Sequence, residues 1–467
     1  MKQRVLAVAI AAASLSIAAP SVFASGYKLN EQSAAGAGTA YAGRAAVVQD
    51  ASIVFYNPAG MVKLKRAEVS AGSSYLHLSG EFSPESYKNA AGQEYTAADM
   101  GPYSDGGDFL SPTAVPFGYF AMPINDKFAA GFGVFVPFAT NTDYDDDFIG
   151  GALADQTKLT SVEFQPAFAY RVNDQFSVGV GLDITYMKGL LSKQVDTVPY
   201  LENTPLGSSA NKGFENHYEV EGDDWQVGYN LSLMWDINSD ITLGVTYRSE
   251  MDFKLEGDSE FEKKENVPVF SASNSAVVVF PYIGNQGSEV PITTPQSLTV
   301  SYAHQLTNKL QLVAGVTWTQ WSVFKDFDVK STEPGVIETL SDLGEGYIGH
   351  IEENWNDTTA VAIGANYQLN DDWLLRAGYA NDQSPVSNTY RTARVPDNDR
   401  QWLSTGVNYR ISNDLDVDFA FSYMFFDDVD VNEYNRGLDG APKDKTNLKG
   451  EYSMDAMGLS FQVNYKL

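Results

Sequence analysis

His77, His217, His304 and His350 are the only histidines, and cysteine is absent. Without cysteine there is no disulfide framework, no cysteine-ligated zinc or iron–sulfur cluster and no thiol nucleophile. None of the four histidines sits in a recognisable triad motif, so neither an enzyme activity nor a resident metal or cofactor is expected. The densest acidic run, Asp143, Asp145, Asp146 and Asp147, offers the oxygen ligands that calcium takes, but not the spacing of an EF-hand. It reads first as solvated loop acid. A formal net charge of −29 leaves no basic surface for phosphate backbones, so no nucleic-acid partner is expected. Two prolines are more informative. Pro137 and Pro166 fall inside strand-like alternating runs, where a residue without an N–H interrupts the ladder and favours a bulge or kink. Such residues make an aperture in a wall, and the elements around them must supply the wall.

Lys2 and Arg4 precede an apolar run from Val5 to Ala19, and Val22 and Ala24 are the small residues a signal peptidase reads. Residues 1–24 are therefore expected to be a secretory signal; the run is shorter than the ~20 residues of a spanning helix. Losing Lys2 and Arg4 takes the net charge from −29 to −31. No later run is long enough to span as a helix, which leaves a soluble exported protein or an outer-membrane barrel. The C-terminus favours the barrel. Met457, Leu459, Phe461, Val463, Tyr465 and Leu467 alternate with Gly458, Ser460, Gln462, Asn464 and Lys466. That is one apolar and one small-polar face.

The same alternation brackets six short turns: Asn125-Asp126-Lys127, Asn173-Asp174-Gln175, Asn238-Ser239-Asp240, Thr307-Asn308-Lys309, Asn370-Asp371-Asp372 and Ser412-Asn413-Asp414. Asn and Asp tolerate the backbone that tight hairpins need. Six hairpins, one strand before them (about Ala67 to Ser79) and one after (Ser453 to Leu467) predict an all-β fold. It is a 14-stranded antiparallel transmembrane β-barrel over residues 67–467. The third strand is expected from Phe128 to about Phe138. Long polar stretches, from Gly80 to Ser111 through Asp427 to Tyr452, read as extracellular loops. Residues 25–66 do not alternate and are crowded with Ala and Gly, and they close on Asn57-Pro58-Ala59. A compact N-terminal hatch inside the lumen accounts for this composition. As a free periplasmic tail, Ile53, Val54 and Phe55 would have nothing to bury against.

Several short motifs in order carry a likeness to a known family. Gly26-Tyr27-Lys28-Leu29-Asn30-Glu31-Gln32, Asn57-Pro58-Ala59, Pro123-Ile124-Asn125-Asp126, Tyr247-Arg248-Ser249-Glu250, Asp382-Gln383-Ser384-Pro385-Val386 and Pro396-Asp397-Asn398-Asp399-Arg400 with Trp402-Leu403-Ser404 span the mature chain. Together they resemble the FadL family, the long-chain fatty acid transporters of Gram-negative outer membranes. The likeness implies capture of a long-chain fatty acid at extracellular loops, an internal apolar pocket and movement of the hatch. Release then follows sideways into outer-membrane lipid, through an inward kink of the third strand, by a monomer. On that reading Pro137, Phe138 and Ala139 form the lateral opening; Pro137 could otherwise simply end its strand at the rim. Lys193 falls where the family has a carboxylate-binding arginine, and offers a point charge in place of the fork. It equally fits a solvated loop lysine. The second basic partner is expected near Lys325 and Lys330, although an ungapped match puts Asp328 there. Relatives that carry aromatic hydrocarbons imply the alternative cargo. A general porin, with an open charged lumen and no plug, is the rival outside the family.

Overall fold

The computed structural model describes residues 26–195, 216–263, 269–270, 277–278, 284–341 and 343–467. The expected signal and its cleavage site lie outside them. Fourteen strands form the wall: β1 (Glu68–Lys88), β2 (Thr113–Pro123), β3 (Phe128–Phe135), β4 (Gln156–Arg171), β5 (Phe176–Val195), β6 (Asn216–Asp236) and β7 (Ile241–Arg248). They continue as β8 (Ser297–Gln305), β9 (Leu310–Thr319), β10 (Thr358–Gln368), β11 (Trp373–Asp382), β12 (Arg400–Arg410), β13 (Leu415–Phe426) and β14 (Pro442–Lys466). Every neighbouring pair is antiparallel, and β1 closes on β14 with Glu68 opposite Lys466. Closure removes the exposed edges that hydrocarbon would not tolerate.

All six predicted turns are where strands reverse, and five share one device. The side-chain oxygen of Asn125, Asn173, Asn238, Thr307 or Asn370 accepts the backbone N–H two and three residues on, at 2.8–3.2 Å. The alternation also holds. Val178, Val180 and Leu182 point out and are exposed, while Asp183 and Thr185 are buried. On β14, Leu459 and Phe461 face out and Ser460, Gln462 and Asn464 face in.

Two expectations need correction. The polar stretches are not simply loops: β1 runs on to Lys88, β14 starts at Pro442, and Met251–Lys263 pairs with Gly284–Thr294. Polarity marks where the bilayer ends, whereas backbone pairing continues into water because the ladder satisfies its own N–H and C=O groups. The third strand stops at Phe135, three residues short of Phe138, and resumes as Ala139–Asp143.

Residues 26–66 form two single-turn helices, α1 (Ala34–Ala37) and α2 (Ile53–Tyr56), and a 3₁₀ turn over Pro58–Lys63. They bond inward-facing side chains from opposite sides of the ring: Ala34 N to Gln462 on β14, Ala45 N to Ser301 on β8, and Ala59 N to Ser232 on β6. Small residues are required by these close approaches. A Cβ at Gly244 on β7 would stand 1.8 Å from the Ala45 carbonyl oxygen. In Asn57-Pro58-Ala59, Asn57 caps the 3₁₀ turn by accepting the Ala59 N–H and donates to the carbonyls of Ala45 and Leu233. Pro58 takes a first-turn position whose N–H would be idle.

Candidate functional site

Inward parity on β5 carries Lys193 to the wall of a cavity on the outer side of the lumen, opposite Tyr218 of β6, with Nζ 5.8 Å from the Tyr218 ring centre. Arg391 and Arg394, from the connection between β11 and β12, and Arg436 beyond β13 line the same space, with Glu352 and Glu433 as its carboxylates. Four cations face two acids there, the reverse of the balance of the whole chain. No ion pair among the described residues uses Lys193. Arg394 is buried, donates to the Gln156 and Ser192 carbonyls and to Thr157, and keeps an unpartnered Nε. Arg436 lies 3.6 Å from Glu352.

Lys330 and Lys325 are not brought to this cavity. Lys330 packs over Tyr347 on the face of its short strand opposite Phe327 and Val329, and Lys325 is exposed. Asp328 hydrogen-bonds His350 at 2.7 Å. An ungapped match does not resolve strand faces, and here Phe327 and Val329 take the buried one. Arg391, Arg394 and Arg436 are the cations that line the cavity beside Lys193. The signal for two of them was the Arg391-Thr392-Ala393-Arg394 spacing just before the Pro396 motif. Between that cavity and the lumen's centre sits Glu353, fully buried, accepting from Trp355 Nε1 and Thr392 Oγ1 at 2.9 Å. Burial pushes its carboxyl up to about 8. The Asp143–Asp147 run packs against the connection between β1 and β2, where Asp147 accepts from Ser104. No group of three metal-ligating side chains occurs among the described residues.

Leu191 joins the charged cavity to an apolar one lined by Leu159, Val220, Leu255, Val290, Ile292 and Phe327. Rings then lead downward. Phe327 meets Phe324 at 4.7 Å between centres, Phe324 meets Tyr27 at 5.5 Å, and Tyr27 meets Phe138 at 5.9 Å. Phe138 is the bend in the third strand. Phe135 pairs with Glu163 and Ala139 with Thr160, so three residues of the bent strand face two of β4. That is a one-residue bulge. The bulge turns inward and pairs with the N-terminal segment: Leu29 N donates to Pro137 O at 2.8 Å, Ala139 N to Tyr27 O at 2.9 Å, and Gln32 Nε2 to Val136 O at 2.6 Å. Ser161 stands in for the lost ladder, with Oγ bonded to both Phe138 N and Phe138 O. On the other side, β2 pairs with β3 only from Phe117 downward, leaving Thr113 to Pro116 without a β3 partner. Pro166 interrupts a second ladder: β4 pairs with β5 through Phe164 and again from Ala167, but not between.

Closed as it stands, the charged cavity measures about 60 Å³. That holds a few waters, against about 300 Å³ or more for a drug-sized ligand, so a large guest must displace protein.

Known proteins share this architecture. A crystal structure of a Pseudomonas aeruginosa FadL homologue superposes with a TM-score of 0.80 at 25% identity, over 94% of this chain and 99% of that one. The Ralstonia pickettii toluene transporter TbuX shares the fold, with a TM-score of 0.62 at 17% identity over the same shares. In sequence, an outer membrane protein of Neisseria meningitidis serogroup B is 31% identical over 96% of both chains. The long-chain fatty acid transport protein of Escherichia coli K12 is 28% identical over 91% of this chain and 93% of its own. Residues 15–467 match the family described as outer membrane protein transport protein (OMPP1/FadL/TodX). With its closed 14-strand wall, this chain belongs to that family of outer-membrane transport barrels.

Proposed function

We propose that the protein carries long-chain fatty acids across the outer membrane by passive lateral release. The supporting observation is the placement of a cation-rich cavity at one end of a continuous apolar file whose other end is the bulge at Pro137, Phe138 and Ala139. Lys193, with Arg394 beside it, receives the carboxylate, and the tail lies toward Leu255 and Phe327. Residues 25–66 act as the hatch of a barrel formed by 67–467, and the Asn57-Pro58-Ala59 turn anchors its lower end. Retreat of Tyr27 to Gln32 from the bulge opens the wall toward lipid. Burying a methylene is worth about 0.8 kcal/mol, so a tail of ~15 methylenes leaves water with roughly 12 kcal/mol of driving force. No other energy source is required. One copy closes the ring, so the working unit is a monomer and its partners are cargo and membrane lipid.

Uncharged aromatic hydrocarbons are the second reading. The toluene transporter sharing the fold favours it, but such cargo has no use for four cations in the cavity. Deleting Pro137 tests the exit. Removing one residue makes two face two across β4, so the ladder can close. Fatty-acid uptake by cells expressing the deletion should fall to background while the barrel still folds. Undiminished uptake through that folded variant refutes lateral release at this bend.

A further inference from the structure

Arg248 ends β7 and belongs to none of the steps above, yet both of its terminal nitrogens are paired inside the wall. Nη1 lies 2.9 Å from Glu163 Oε1 and 3.0 Å from Asp183 Oδ2. Nη2 donates to Gln165 Oε1 at 2.7 Å and to the Phe55 carbonyl at 3.0 Å. The plane also covers two rings, with its centre 4.4 Å from that of Phe55 and 5.7 Å from that of Phe135. Those rings meet edge-on at 4.7 Å. We infer that Arg248 is the positioning residue of the side passage: it clamps Phe55 of the N-terminal segment against Phe135, the last wall residue before the bulge, and thereby sets the closed state.

Three observations converge on this. First, Glu163 is the last β4 residue paired with β3 before the bulge, and Gln165 lies beside Pro166 in the gap where β4 loses its pairing with β5. Side chains must hold the seam there, and Arg248 ties β4 to β5 through Asp183, itself fixed by Asn230 at 2.6 Å. Second, the N-terminal segment is gripped at consecutive carbonyls: Gln165 Nε2 donates to Val54 O, Arg248 to Phe55 O and Thr246 to Tyr56 O. Third, the grip reaches the bulge. Tyr56 OH bonds Ser33, and the neighbouring Gln32 holds Val136 O. A fork with several donors, which also stacks on rings, can serve β4, β5 and α2 at once; a lysine ammonium cannot.

The inference rests on the bend being the exit, and its test needs no cargo. R248K keeps the charge and loses the fork. Hydrogen exchange at the Leu29 and Ala139 amides, which bond across the closed bulge, should then run about ten times faster than in the wild-type barrel, the population change for one lost charge-assisted hydrogen bond. F55A, which removes the clamped ring but leaves the ion cluster whole, should exchange as fast. A purely structural cluster would leave F55A silent. Because R248M alone strands two buried carboxylates, the neutral triple variant R248M/E163Q/D183N replaces R248K if the lysine variant does not fold, with the same expectation. Fatty-acid affinity, read by titration, should stay at the wild-type value in both single variants. Folded R248K and F55A with wild-type exchange at the Leu29 and Ala139 amides overturn the inference. Absence of fatty-acid binding in the wild type would instead overturn the cargo assignment, leaving the exchange result to stand.

Discussion

Replacing Lys193 by methionine isolates the head-group contact. Methionine keeps the stem that packs beside Tyr218 and removes only the ammonium. Since Lys193 joins no ion pair among the described residues, none of their carboxylates loses a partner by the change. The effect is therefore read on the ligand. A hydrogen bond to a charged group is worth about 1.5–3 kcal/mol, which is about a 10- to 150-fold rise in Kd for a fatty acid. A fatty alcohol of equal chain length, which brings the same tail and no charge, should bind K193M and wild type alike. K193R should hold or tighten acid binding, because the fork matches a carboxylate. Calorimetric titration of detergent-solubilised protein with the acid and the alcohol reads both arms. Arg394 is a poorer target, since its removal also frees the Gln156 and Ser192 carbonyls and Thr157. Equal weakening of acid and alcohol, or no change in either, refutes the assignment of Lys193 to the carboxylate.

Two further expectations follow from packing and burial. G244A drives a Cβ against the Ala45 carbonyl, a backbone atom that no side-chain rotation can clear. It should loosen residues 26–66 while β7 keeps its ladder, seen as faster proteolysis of the N-terminal segment in a barrel that still migrates as folded; unchanged protection counts against the packing. Glu353 holds a proton in the folded protein up to about pH 8 that it would release near 4.5 when unfolded. Its contribution is fully present below 4.5, erodes as pH rises to 8 and is gone above, so thermal unfolding of wild type should fall across that window. E353Q should flatten the profile, and an identical slope in both proteins contradicts the assignment.

The wall was legible because a strand with lipid on one side and packed polar groups on the other imposes a two-residue period, and four of the six short reversals leave an Asx turn. Asn125, Asn173, Asn238 and Asn370 are readable one at a time, since the bond each makes spans three residues. The strand lengths were not legible past the bilayer. There the period loses its apolar face, while the ladder continues unmarked, as in Met251–Lys263. Pro137 marked the place of a disruption but not its direction: the inward turn depends on Tyr27, Leu29 and Gln32, roughly a hundred residues away, pairing with the freed backbone.

Charge tells the same story. The sequence alone determined that this chain is a membrane barrel, that its N-terminal segment is built for close packing, and that any acid it binds needs a local cation. Which cation was a question of three dimensions. Lys193 is aimed by the parity of its own strand, a local property, whereas Arg391 and Arg394 from one connection and Arg436 from another reach the same cavity only because the closed ring brings them together. Lys325 and Lys330 have the right charge, but Lys325 is exposed and Lys330 lies on the face of its strand opposite Val329, which lines the cavity. Short-range periodicity is written along the chain; convergence of distant side chains is set by ring closure, and no local pattern encodes it.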